Sequence, residues 1–252
     1  MDQQKVTPKN FLCLLSDAVG WPLGNSFLSH ETIVPLFISR LTGSNFLLGL
    51  ISGIYSFGQF APQLIAANWI EKLSIKKKYV VILGILGERI PLLLLALAVF
   101  FMDSPTILLV LFYLLWTISH TATGLNLPAF LNLFAKTIPA HRRGIISGIG
   151  HTGGTLLAVF GAYAARTILQ NSEGLIGYAW CFLIGFVFLL LSIIPLGLID
   201  ELPDEVHHSG RRLRDYLKEL PAIVRGNLPF TWYIVVHILL QVAFALILFL
   251  TA

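Results

Sequence analysis

Hydrophobic residues along the chain fall into seven long blocks, roughly 11–39, 46–70, 79–101, 106–135, 144–169, 176–199 and 229–251. Each is close to or longer than the ~20 residues a helix needs to cross a bilayer. None shows the strict two-residue alternation of a barrel strand, and in lipid only helices and closed barrels satisfy their own backbone groups. The pattern therefore predicts an all-α, multi-pass membrane protein with seven spans. Pro22, Pro35, Pro62, Pro91, Pro128 and Pro195 lie inside the blocks. They predict kinked helices around an internal space, because neighbouring helices in a membrane bundle can satisfy the backbone groups that proline frees. Gly49 with Gly53 and Gly144 with Gly148 are i,i+4 pairs, the spacing at which two helix backbones approach closely.

The gaps between blocks decide orientation. Of the 17 Lys and Arg residues, 14 lie in the N-terminal tail (Lys5, Lys9) and in the gaps after the second, fourth and sixth blocks. Those gaps hold Lys72, Lys76, Lys77 and Lys78, then Lys136, Arg142 and Arg143, then Arg211, Arg212, Arg214, Lys218 and Arg225. By the positive-inside rule, the N-terminus and the 200–228 segment are cytoplasmic. Composition agrees: 56% of residues are hydrophobic and 12% charged, too apolar for a domain with a watered surface. The net charge of +4 sits in loops that flank the membrane and face anionic headgroups, which argues against nucleic acid as a partner. Cys13 and Cys181 lie inside blocks and lack metal-ligand spacing. No signal-peptide cleavage site follows the polar tail, so the first block is expected to remain a helix.

Two stretches read alike. Pro35-Leu-Phe is followed at Gly49 by Gly-Leu-Ile-Ser-Gly-Ile, and Pro128-Ala-Phe is followed at Gly144 by Gly-Ile-Ile-Ser-Gly-Ile. Ser29-His30 precedes the first copy and Ser119-His120 the second. This aligns block one with block four and block two with block five, which cross in opposite directions. The expectation is a six-helix bundle of two inverted three-helix repeats over 1–200, a cytoplasmic linker over 201–228, and an unpartnered seventh helix over 229–252. Within the linker, Leu213, Tyr216, Leu217 and Leu220 form one stripe of a short amphipathic helix.

The loop after block two runs from Ala67 through Glu71-Lys72 and Ser74 to Lys76-Lys77. It resembles the G-x-x-x-D/E-R/K-x-G-x-R/K-R/K signature of the major facilitator superfamily. The acid, the base after it and the closing basic pair match; Ala67 and Ser74 replace the two glycines. Pro139-Ala-His-Arg142-Arg143-Gly144 is similar to the P-x-x-R-R-G segment that opens the fifth helix in many bacterial members. The structural alternative for both loops is a solvated positive-inside charge run.

The resemblance covers the first half of the family's twelve-helix pattern plus helix seven. It implies a secondary transporter that moves a small solute by rocking two halves about a midplane site. The expectation is a truncated half whose C-terminal six-helix partner is missing, or else a half-size chain that pairs with a second copy. No cofactor or metal is implied.

An ionisable group held in lipid is a functional-site candidate by default. The resemblance puts helices one and four on the central cavity, which would let Asp17, Asn25 and Glu31 face it with His120 and Asn126. Asp17 and Glu31 are fourteen residues apart and on a continuous helix would share a face about 21 Å apart along the axis. Either could titrate as the proton-coupling group; the alternative for Asp17 is a structural pair with a cytoplasmic loop Lys or Arg.

Glu88 and Arg89 lie mid-block, and sequence neighbours diverge by about 100° on an α-helix, so each is expected to find another partner. Helix three is usually peripheral in the family, which favours a structural ion network there. Arg89 is the candidate for an anionic substrate or a carboxylate. Gln59, Gln63 and His151 could line the cavity or serve as helix–helix glue. The helix-four R-x-x-x-G arrangement is absent before Gly124, and Gly153-Gly154 leads into Thr155 rather than Pro, both of which count against a drug exporter.

Competing classes are a membrane scaffold and an intramembrane hydrolase built on Ser147 and His151. The second lacks the G-x-S-G spacing of rhomboid-like proteases. His30-Glu31 fails as H-E-x-x-H, because Val34 stands at the second ligand position.

Overall fold

The computed structural model describes residues 8–204, 226–236 and 239–240, with residues 67 and 68 described by their backbone alone. The expected linker helix with Leu213, Tyr216, Leu217 and Leu220 lies outside the described residues, as does the end of the seventh block. The chain divides into two compact units, Met1–His207 and His208–Ala252.

Among the described residues all regular structure is helical. The first unit contains α1 (Pro8–Ser26), α2 (Ile33–Leu41), α3 (Asn45–Ile70), α4 (Lys77–Leu83), a π-helical turn (Gly84–Arg89), α5 (Ile90–Phe101), α6 (Pro105–Thr137), α7 (Ala140–Asn171), α8 (Ile176–Ile193) and a closing 3₁₀ turn (Ile194–Leu198). Among the described residues, four stretches are long and apolar enough to cross a membrane: Lys77–Phe101, Pro105–Thr137, Ala140–Asn171 and Ile176–Leu198. Large apolar side chains such as Phe46, Phe57, Phe101 and Phe160 stand exposed on the outer surface, as a lipid-facing shell requires.

The first block is not one helix. Its α-helical ladder ends at Ser26, where Phe27 and Leu28 donate to the carbonyls three residues back, and it restarts at Ile33. Pro35 has no N–H to return to the Glu31 carbonyl and is tolerated in the first turn of α2. Glu31 therefore sits in the break, exposed, and does not share a helical face with Asp17. Pro22, Pro62 and Pro128 stay inside their helices, whereas Pro91 follows the π turn and opens α5.

α1 lies between α7 and α8, α3 lies along α6, and α5 bridges α6 and α8. Glycines bring these axes close. A methyl at Gly124 of α6 would strike the carbonyl oxygens of Gly58 and Gln59 on α3, and one at Gly150 or Gly154 of α7 would strike Ala18 or Pro22 of α1. The expected close pairs are not among them: a Cβ on Gly49, Gly53, Gly144 or Gly148 would meet open space. Both pairs face outward from the bundle, whereas Gly58 of α3 and Gly150 of α7 face α6 and α1 from the same two helices.

The core falls into two apolar clusters. One is built around Phe37, Phe112 and Phe182, the other around Leu14, Leu133, Ile138 and Leu196. On four elements the chain passes from one to the other through buried polar residues: Asp17 on α1, Glu88 and Arg89 on the π turn, Ser119, His120 and Asn126 on α6, and Ser192 on α8.

The second unit is described only in part. Residues 228–236 are helical, and the Asn227 side chain accepts from the Phe230 N–H at 3.2 Å, a cap on one of the free donors of the first turn.

Candidate functional site

The polar layer is organised by Arg89, 2% exposed. Its Nε donates to the Leu189 carbonyl on α8 at 2.7 Å, and its Nη1 donates to the Gly84 carbonyl at 2.8 Å and to Glu88 Oε2 at 3.1 Å. Its guanidinium also lies 5.5 Å from the Trp21 ring centroid. The expectation that Glu88 and Arg89 would not pair is thus corrected. The wider π turn, with Nη1 reaching back to Gly84, brings two neighbouring side chains to the same interior. Glu88 Oε1 accepts from Asn126 Nδ2 at 2.5 Å, and the Glu88 carbonyl accepts from the Ser119 hydroxyl at 2.7 Å. Asn126 Nδ2 also reaches the Val80 carbonyl at 3.2 Å.

Beside this network some polar atoms are buried without a partner among the described residues: Asp17 Oδ1, Asn126 Oδ1, Trp116 Nε1 and both ring nitrogens of His120. Among the described residues no loop Lys or Arg acts on Asp17; the charge that does is Arg89.

Two cavities adjoin the layer. The first, about 360 Å³, is lined by the α1 break, α3, the π turn and α6, and takes in Asn25, His30, Glu31, Tyr55, Trp116 and His120. The second, about 470 Å³, is lined by Asp17, Asn126, Phe130, Ser147 and His151 among others. Trp21, Pro22, Tyr55, Gln59, Glu88, Arg89 and Thr123 line both. Each volume falls in the range of pockets for small molecules.

Of the candidate residues, Asn25, Glu31, Gln59, Arg89 and His120 meet at the first cavity. Asp17, Gln59, Arg89, Asn126 and His151 meet at the second. Asn25 is turned partly to its own helix, donating to the Trp21 carbonyl at 2.9 Å. His30 stacks on Tyr55 with ring centroids 3.7 Å apart, and Tyr55 meets His120 edge-on at 4.9 Å. Sequence reading left Trp21, Tyr55, Trp116, Ser119 and Ser192 out of the site. In a membrane chain an aromatic residue has no pattern that separates cavity wall from lipid face, and a serine can satisfy itself on its own helix.

The loop residues gather at the other end of the bundle. The Glu201 carboxylate accepts from the backbone N–H of Lys76 (2.9 Å) and of Lys77 (2.8 Å) and from Lys136 Nζ (3.1 Å). Asp204 pairs with Lys76 and, at 2.9 Å, with Lys136. Lys77 Nζ donates to the Ile199 carbonyl at 2.7 Å, and Lys9 pairs with Asp200 at 2.8 Å. Burial raises the Asp204 carboxyl, but hydrogen bonds and charge from Lys76 and Lys136 outweigh it and hold the group below its ordinary value. Arg143 caps α6 instead, donating to the Ile138 and Ala135 carbonyls at 2.9 and 2.6 Å. Glu71, Lys72, Arg142 and Gly144 are exposed, Ser74 lends its carbonyl to the Asp204 N–H at 2.9 Å, and the side chain of Ala67 is outside the description. The acids at 201 and 204 belong to neither of the two loop motifs.

An apolar helical bundle with a polar layer and adjoining cavities is the construction of a membrane protein that handles solutes. The family model of the Major Facilitator Superfamily matches residues 20–252, and the chain belongs to that family of membrane transporters. No curated protein and no solved structure matches the chain.

Proposed function

We propose that this chain is a secondary active transporter that moves a small solute by rocking-bundle alternating access, with the polar layer around Glu88 and Arg89 as its binding centre. The observation that carries this reading is the placement of that layer, buried between two apolar clusters and open to a cavity on each side. Asp17 or Glu31 is the proton-coupling group. The protein resides in the cell membrane with its N-terminus and all basic connectors in the cytoplasm. In support, Lys9, Lys76, Lys77 and Lys136 are tied to the 199–204 segment at one end of the bundle.

The first 200 residues form two inverted three-helix repeats. Exchanging block one with four, two with five and three with six turns the α1–α7 contact into the α6–α3 contact and the α1–α8 contact into the α6–α5 contact. All four packings are present. Residues 201–228 are the linker and 229–252 belong to a seventh span.

Uptake by proteoliposomes tests this. The purified protein should accumulate at least one solute from a panel of sugars, amino acids, organic acids and amines, faster with a pH gradient than without. Asp17→Asn should lose the gradient effect while still exchanging solute. No uptake of any solute, with the same membranes intact to a control transporter, would contradict the proposal.

A further inference from the structure

Taking the transporter reading as given, we infer that the solute is a small organic monocation, a protonated amine carried on a ring. The two cavities are lined by three carboxyl groups, Asp17, Glu31 and Glu88, against the single guanidinium of Arg89. Arg89 already donates through Nε and Nη1 to Leu189, Gly84 and Glu88, so an anion would find the one countercharge already paired with a carboxylate. Glu88 is likewise held by Asn126 and Arg89.

At the second cavity the atoms left without a partner among the described residues share one sign. Asp17 Oδ1 and Asn126 Oδ1 are acceptors, nine-tenths buried, and both residues line the second cavity. They call for a donor, and an ammonium group supplies several. Tyr55, which lines both cavities, forms a continuous run of rings with His120 and Trp116, His120 lying edge-on to Trp116 at 4.2 Å. Such a wall accommodates an aromatic or alicyclic body by stacking and favours a nearby cation. The unpartnered Trp116 Nε1 is a donor only, so a hydroxyl or ether on the ring completes the match.

Three probes on one scaffold read the charge directly: tyramine (cation), tyrosol (neutral) and 4-hydroxyphenylacetate (anion). Binding to the purified full chain in nanodiscs is followed by thermal shift and tryptophan fluorescence. Tyramine should bind about tenfold more tightly than tyrosol, the effect of one charge contact in a dry site, and the anion should be weakest. Asp17→Asn should bring tyramine to the level of tyrosol and leave tyrosol unchanged. Glu31→Gln, at an exposed position that threatens folding little, should weaken tyramine alone by a smaller factor. Equal affinities, preference for the anion, no binding of any probe, or a tyramine preference that survives both substitutions would each overturn the inference. Uptake separates it from the reading beneath it. A protein that moves neutral or anionic solutes but neither binds nor moves tyramine keeps its transport function and loses this assignment. One that binds tyramine by way of Asp17 yet moves nothing keeps the site and loses the transport function.

Discussion

Removing the Arg89 side chain while leaving Glu88 in place would strand a carboxylate among buried neighbours, with only Asn126 to answer it. Breaking one side of such a pair costs about 3–5 kcal/mol, and replacing both partners by apolar groups costs far less. Arg89→Leu should therefore lower the melting temperature in detergent sharply, and adding Glu88→Leu should recover part of the loss; additive losses would contradict the pairing. The ionisable residues themselves were plain in the sequence, because charges inside apolar blocks stand out. Their partnership was not, since it depends on a π turn that no apolar pattern encodes. His120 and Asn126 were visible as polar breaks in block four, whereas Trp21 and Trp116 became site residues only when their rings met a cavity.

Helices in this bundle approach where glycine lets them, and the positions differ from those the i,i+4 spacing suggested. Gly124 faces the α3 backbone directly, so Gly124→Ala should cost about 1–3 kcal/mol by overpacking. Gly148→Ala, opening onto free space, should leave the isolated bundle within about 0.5 kcal/mol of the original. Thermal unfolding of the two variants checks the contrast, and equal effects would mean that the helix faces are wrongly assigned. Spacing reveals that two glycines share a face; which of two faces is packed depends on the partner helix. The length and apolarity of the blocks made the helices themselves legible. The break after Ser26 falls on the polar run Ser29-His30-Glu31-Thr32, just before Pro35, a run short enough to be absorbed into an otherwise apolar block.

At the scale of the whole molecule, the segment after α8 straps the basic end of the bundle, with Glu201 and Asp204 gathering Lys76, Lys77 and Lys136 from two loops. Because the Asp204 carboxyl is held low, the stabilisation it gives is complete above the unfolded value of about 3.9 and is lost as pH falls through its lower folded value. Asp204→Asn should accordingly lower the melting temperature at neutral pH and make little difference in strong acid; a penalty that persists in acid would exclude the charge as its source. The alternation of basic and neutral connectors was the most legible feature of the sequence, because a bilayer sorts charge by side whatever the packing within it. Sidedness is therefore the property to measure. Single cysteines at Lys78, Arg142, Asp103 and Glu173, all exposed connector positions, should be labelled in intact cells by a membrane-impermeant thiol reagent at the last two sites only, and at the first two only after permeabilisation. Labelling of Lys78→Cys and Arg142→Cys in sealed cells, or on opposite sides from each other, would contradict it.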